Sequence, residues 1–237
     1  MKTLYHGSKD IIEHPRYGAG KPYNDYGLVG SEMCIRDSYG LGFYCTESLD
    51  LAKEWAVSVD RGGFANCYEF DCADLAILDL NGEDYGLLHW LALLLRFREF
   101  DASGPLALEA KQYLLENFAI DLAPYDAIVG YRADDSYFSF AQDFISGAIS
   151  YQQLGRAMHL GRLGQQFVLK SERAFDRLRF TGYEGASRDE WYERKMSRDR
   201  AARREYLDEE RNRRQPGDLF ITTIMDEGMG AGDERLR

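Results

Sequence analysis

The stretch that most constrains this chain runs Gly40-Leu41-Gly42-Phe43-Tyr44-Cys45-Thr46-Glu47-Ser48-Leu49-Asp50-Leu51-Ala52-Lys53-Glu54-Trp55. Two glycines open it, Phe43 to Thr46 alternates with the period of a short strand, and Ser48 stands where a helix N-cap belongs. Behind that cap, Leu49, Ala52 and Ala56 recur at helical spacing, which predicts a helix over Ser48 to Val59. A strand feeding a helix leaves Tyr44 at the junction and Trp55 on the helix, eleven residues later. Two aromatic faces set in this way can hold a flat ring between them. Taken alone, the pattern is also that of an ordinary turn followed by core aromatics.

The rest of the chain can build a core around that unit. It has 237 residues, 45% of them hydrophobic and 14% aromatic, enough for one domain with an extension or two small ones. A formal charge of -11 works against a sequence-independent grip on phosphate backbones. The start Met1-Lys2-Thr3-Leu4-Tyr5-His6 reads straight into a strand with no signal-peptide pattern, and the apolar run from Leu87 to Leu95 is too short to span a bilayer. These features predict a soluble, cytoplasmic protein that makes no membrane contact. Cys34, Cys45, Cys67 and Cys72 lack zinc-type spacing with histidines, so neither a disulfide framework nor a metal site is expected.

In chain order, strands are expected at Lys2 to Tyr5, Asn66 to Asp71, Ala76 to Leu80, Ala127 to Tyr131, Leu163 to Ser171 and around Arg179-Phe180. Helices are expected near Glu83 to Phe97, Pro105 to Asn117, Tyr137 to Ile145 and Ser150 to Leu160. His89 and His159 read as packed or helix-terminal residues. Asp134 and Asp135, at the end of the Ala127 to Tyr131 strand, have two readings. They are either N-capping carboxylates or a crowded acid pair, one member of which serves as a general base. From Ser187 the composition shifts. Arg188 to Arg214 holds ten basic and eight acidic residues, with Glu190 and Arg194, Asp199 and Arg203, and Glu210 and Arg214 at i,i+4. That spacing predicts a long solvated helix, a mixed charge that favours water over phosphate, and a frayed end from Gly228 to Arg237. Near the N-terminus, Asn24-Asp25-Tyr26-Gly27-Leu28 is echoed by Asp37-Ser38-Tyr39-Gly40-Leu41. The segment between the echoes, Val29 to Ser38, resembles the translation of a sequencing-library adapter. Residues 29–41 are therefore read as a non-native insertion, and resequencing that finds the locus continuous would sink the idea.

A second motif sharpens the first. Leu4-Tyr5-His6-Gly7-Ser8, with Gly40-x-Gly42-x-Tyr44 and Trp55, resembles the ADP-ribosyltransferase superfamily in its diphtheria-toxin and poly-ADP-ribose-polymerase branch. Trp55 stands where that branch has a second tyrosine, and the N-terminal part is similar to a small bacterial domain-of-unknown-function family within it. The resemblance implies an α+β fold, a split β-sheet core with surrounding helices over residues 1–185, followed by a charged helical extension over 186–237. It implies NAD as substrate. His6 would bond the adenosine ribose, the Gly7 backbone the nicotinamide amide, and Ser8 would support the strand end. Gly42 opens the loop, and Tyr44 would stack on nicotinamide with Trp55 beneath, each stack contributing about 0.5 to 1.5 kcal/mol.

The expected strand Leu163 to Ser171 matches the one that carries the superfamily's glutamate, and the match places Gln166 at that position. An amide can bond a ribose hydroxyl but supplies no negative charge to an oxocarbenium-like state, at a cost on the order of 10² to 10³ in rate. The resemblance therefore implies transfer of single ADP-ribose groups, with Gln166, Tyr44, Asp134 and Asp135 as candidate catalytic residues. The acceptor would be a protein or nucleic acid, in the setting of a toxin-type or defence effector with an antitoxin-like partner. Two alternatives stay open: a catalytically inactive NAD-binding or protein-interaction module, and an NAD glycohydrolase.

Overall fold

Leu4 and His6 alternate with half-exposed neighbours along β1 (Lys2–Ser8), which gives that strand one core face. The computed structural model describes residues 1–17, 39–100, 104–132, 135–160 and 164–236. Among them the fold is α+β, with eight helices and two sheets. The first sheet places β1 beside β3 (Gly63–Phe70) and β3 beside β7 (Leu178–Ala186), antiparallel throughout, with His6 opposite Asn66 and Gly7 opposite Ala65. The second runs in the order β2 (Phe43–Cys45), β6 (Gln165–Leu169), β5 (Ala127–Tyr131), β4 (Ile77–Asp79). A single bridge, Tyr5 to Thr46, ties an edge of the first sheet to the end of β2.

The described chain forms two compact units that interleave in sequence, Met1–Leu78 with Leu122–Gly130 and Gly164–Arg198, and Asp79–Asp121 with Tyr131–Leu163 and Asp199–Arg237. The first unit buries Leu4, Tyr68 and Phe70 of one sheet against Phe43, Cys45, Val129, Phe167 and Leu169 of the other. Phe175, from the five-residue helix α6 (Glu172–Asp176), joins the same core. On the opposite face of the β1-β3-β7 sheet lies α1 (Leu49–Ala56), capped as expected by Ser48, whose side chain accepts the Leu51 N–H at 3.3 Å. This helix stops at Ala56, earlier than its periodicity suggested, because Val57 is extended and Ser58 closes a turn onto Arg61.

The second unit is helical. In α2 (Leu87–Phe97), Leu88 through Leu95 are all buried; α3 (Pro105–Asn117) begins at its proline. Then follow α4 (Asp135–Ile145), α5 (Tyr151–Ala157), capped by Ser150, and α8 (Ile221–Asp226). Two expectations are corrected. The C-terminal segment is anchored rather than frayed: Tyr113 Oη donates to the Ile224 and Met229 carbonyls, Tyr151 Oη donates to Leu236, and Met229 and Leu236 are buried. The charged run forms α7 (Arg188–Glu205) and one π-helical turn (Tyr206–Glu210), but it is not solvated all round. Trp191 packs with Ala56, Val57 and Ala186, and Arg198 forms an ion pair with the buried Glu54 of α1. The expected pairs Glu190–Arg194 and Asp199–Arg203 do form, at 4.0 and 2.9 Å.

Candidate functional site

Five of the residues singled out in the sequence lie on the elements around the junction of the first unit's two sheets, His6 and Gly7 on β1, Tyr44 on β2, Trp55 on α1 and Gln166 on β6. In the Tyr5–Thr46 bridge, Tyr5 N donates to Thr46 O at 2.8 Å and Thr46 N to Tyr5 O at 2.9 Å. Backbone groups of alternate residues along an antiparallel strand point to the same edge, so Gly7, like Tyr5, turns its N–H and C=O away from β3. Its α-carbon sits hard against α1, where a Cβ would lie 2.0 Å from the Ala52 carbonyl oxygen and 2.8 Å from Trp55 Cβ. Glycine is thus required at position 7 by packing, and the same contact places half-buried Trp55 beside the strand.

His6 reaches across from β1 to β2. Its ring stacks on Phe43 with centroids 4.4 Å apart, and Nδ1 lies 2.6 Å from the Tyr44 carbonyl oxygen. A carbonyl can only accept, so Nδ1 carries the proton and the lone pair resides on Nε2. Burial lowers the imidazole to about pKa 4, outweighing the opposing effect of the Tyr44 bond, so the ring is neutral at pH 7. Nε2 is buried and has no hydrogen-bond partner among the described residues.

Tyr44 lies opposite Val168, and the register continues so that Gln166 falls in the row of Thr46. With a period of two, Tyr44, Val168 and Gln166 share one face of the second sheet, while Phe43, Cys45, Phe167 and Leu169 point into the core. Gln166 is buried, and its Nε2, a donor, is without a partner among the described residues. The Tyr44 hydroxyl donates to Gly40 O at 2.6 Å and accepts from Tyr39 N at 3.1 Å. Gly40 holds φ +77°, and a Cβ on Gly42 would come within 2.4 Å of Val168 Cγ1, so both glycines of the loop have a steric reason. Ser8 ends β1, opposite Phe64. Its Oγ donates to Asp10 O and accepts from Asn66 Nδ2 at 2.9 Å, and Asn66 Oδ1 takes the Ile12 N–H.

Each sheet of this unit therefore leaves one buried side-chain nitrogen without a partner among the described residues, the acceptor His6 Nε2 on β1 and the donor Gln166 Nε2 on β6. That pair suits hydroxyl groups and offers no charge to a phosphate. Asp135 opens α4 in the other unit, and Asp134 lies outside the described residues, as do Cys34 and residues 29–38 of the segment read as an insertion. Asn66 and Thr46 were not anticipated. A fully buried asparagine in the middle of a strand is a signal in itself, whereas Thr46 carries none. Cys45, Cys67 and Cys72 are free thiols, and among the described residues no cluster of three or more His, Cys, Asp or Glu side chains could hold a metal. No described helix is long and apolar enough to cross a membrane.

A family model described as protein of unknown function (DUF3990) matches residues 31–180, and the chain belongs to that family. The matched span includes Tyr44, Trp55 and Gln166 and leaves out His6, Gly7 and Ser8. No curated protein and no solved structure matches the chain.

Proposed function

We propose that this chain is an NAD-dependent mono-ADP-ribosyltransferase whose site is the junction of its two sheets. One observation carries the reading: His6 and Gln166, the outer members of the triad that the motif resemblance names, each leave a polar nitrogen buried and unmatched. Leaving such an atom unpaired costs about 1 to 3 kcal/mol, and a ligand that supplies the missing bond recovers it. Ribose hydroxyls fit both atoms, donating to His6 Nε2 and accepting from Gln166 Nε2. Gly7, with its backbone groups turned to the open edge of β1, suits an amide, and the Tyr44 ring suits a flat heterocycle. The two-sheet arrangement is also in keeping with the split sheet of that superfamily. The acceptor macromolecule, the effector setting and an antitoxin-like partner are parts of the proposal that rest on the resemblance alone, and Asp135 rests on its place in a crowded acid pair.

A second reading, an inactive NAD-binding module, is favoured by Gln166 itself, since a neutral amide supplies no charge to a developing cation. Both readings meet in one experiment. Tagged NAD is incubated with a bacterial lysate and either the full chain, the chain without Val29–Leu41, or its His6→Ala and Tyr44→Ala variants. Nicotinamide release with label on protein or nucleic acid, lost in both variants, is the expected result. Release as free ADP-ribose alone points to a glycohydrolase. Binding without release establishes the inactive module, and no binding sinks the NAD reading altogether.

A further inference from the structure

We infer that Lys170 is a positioning residue that fixes the Tyr44 ring, an inference that rests on the NAD reading for its functional consequence. The turn that enters β2 is Tyr39-Gly40-Leu41, a repeat of Tyr26-Gly27-Leu28, so the same three residue types precede Gly42 whether or not residues 29–41 are native. Its three successive carbonyls are all taken: Lys170 Nζ donates to Tyr39 O at 3.2 Å and to Leu41 O at 3.0 Å, and the Tyr44 hydroxyl donates to Gly40 O between them. The same hydroxyl accepts the Tyr39 N–H. The turn is thus held from two sides, by the side chain it must orient and by a cation on the neighbouring strand.

Lys170 is well placed to be the fixed member of this latch. It follows Leu169, the last residue of β6, which pairs with Phe43, and its own N–H donates to Asp126 O at 2.8 Å. Its backbone is therefore anchored to the residue just before β5 while its side chain reaches over the entry to β2. Tyr39 is fully buried under the turn, and Gly40 adopts the left-handed conformation that brings the carbonyls at 39 and 41 toward one donor. A charged donor to carbonyls makes a stronger bond than a neutral one. Without Lys170 the turn loses its bonds at the Tyr39 and Leu41 carbonyls, and the tyrosine loses part of the frame against which its hydroxyl is held. The ring that would face nicotinamide is then free to rotate, while His6 and Gln166, on other strands, are untouched.

The consequence is selective. NAD and ADP-ribose share everything but the nicotinamide ring, so a loosened Tyr44 lowers affinity for the first and leaves the second alone. The test uses the full chain, with dissociation constants for NAD and ADP-ribose measured for wild type, Lys170→Met, Lys170→Arg and Tyr44→Phe. Lys170→Met and Tyr44→Phe are each expected to weaken NAD by about fivefold, the scale of one aromatic stack, with ADP-ribose unchanged and with Lys170→Arg restoring most of the loss. Their double variant is expected to lose little more than either alone, because both act on the same turn. Equal weakening of both ligands, or no change in either, overturns the inference. Hydrogen exchange at the Tyr39 amide reads the latch without any ligand. Faster exchange in Lys170→Met supports the latch and unchanged exchange overturns it, while a wild type that shows the latch but binds no NAD overturns the NAD reading alone.

Discussion

The two units of the molecule each bury a histidine and a glutamine, and they use them in opposite ways. In the helical unit, His89 Nδ1 accepts the Gly86 N–H at 3.0 Å and closes the start of α2. Gln153 Oε1 accepts the Ser150 N–H at 2.9 Å while its Nε2 donates to Arg211 O at 3.0 Å. In the sheet unit, His6 takes the other tautomer, with its proton on Nδ1, and it and Gln166 each keep one buried nitrogen without a partner. Asn81, in the turn before α2, is an exception in the helical unit, since both of its amide atoms are buried without partners. His89 and Gln153 therefore serve folding, whereas His6 and Gln166 leave bonding capacity unmet among the described residues. Unmet capacity on β1 and β6, the strands that flank β2 at the junction, is what marks it as a candidate site.

The largest effect tests whether buried polar groups in the sheet unit carry energy at all. Arg198 donates through Nε to Glu54 Oε2 at 2.9 Å, and Glu54 is only 6% exposed. Arg198→Met strands that carboxylate and is expected to cost about 3 to 5 kcal/mol in urea unfolding. A loss below 1 kcal/mol would mean that open and satisfied polar groups in this unit are equally tolerated, and the contrast would lose its meaning. The next effect depends on pH. His6 sits near pKa 4 when folded and near the ordinary 6.5 when unfolded, so the unfolded chain binds more protons between those values. Stability due to neutral His6 is fully present above pH 6.5 and falls as the pH drops through this window, by about 2 kcal/mol at pH 5 and about 3 kcal/mol below pH 4. Burial also lowers His89, with the same sign, but that contribution is common to wild type and variant. His6→Gln, whose amide can still donate to Tyr44 O, should remove the His6 share. An unchanged difference in unfolding midpoint between pH 7 and pH 5 would refute the buried neutral ring.

Much of the fold was legible where a local pattern decides. Ser48 and Ser150 cap helices, Pro105 opens one, and Ala127 to Tyr131 is a strand as its apolar run requires. The rest depended on distant partners. β7 extends to Ala186, well beyond Arg179 and Phe180, but as an edge strand with Thr181, Tyr183, Glu184 and Gly185 exposed it shows no apolar alternation in that half. The glycine-rich tail reads as frayed until the hydroxyls of Tyr113 and Tyr151, more than eighty residues away, close on it. At the site, the motif supplied His6, Gly7, Tyr44, Trp55 and Gln166 by type. What joins them is the bridge between Tyr5 and Thr46, two residues that no pattern distinguishes, and the lysine that holds the Tyr39 turn looks in sequence like any polar residue ending a strand.

The smallest effect sharpens the comparison most, because its sign is the prediction. Methionine replaces glutamine with little change in volume, so what differs between two Gln→Met substitutions is the bonding each amide had. Gln153→Met removes two satisfied bonds and leaves the Ser150 N–H and the Arg211 carbonyl unmatched, a loss of about 2 to 3 kcal/mol. Gln166→Met removes a buried donor that was costing the fold, and is expected to leave stability unchanged or raise it by about 1 kcal/mol. The same variant should lose NAD affinity, because the bond that the ligand completes is gone. A protein that gains stability while losing its ligand carries a residue kept for binding at the expense of folding. If Gln166→Met instead destabilises as much as Gln153→Met, the Gln166 amide is satisfied in solution, and the argument that His6 and Gln166 await a common ligand fails at its second residue.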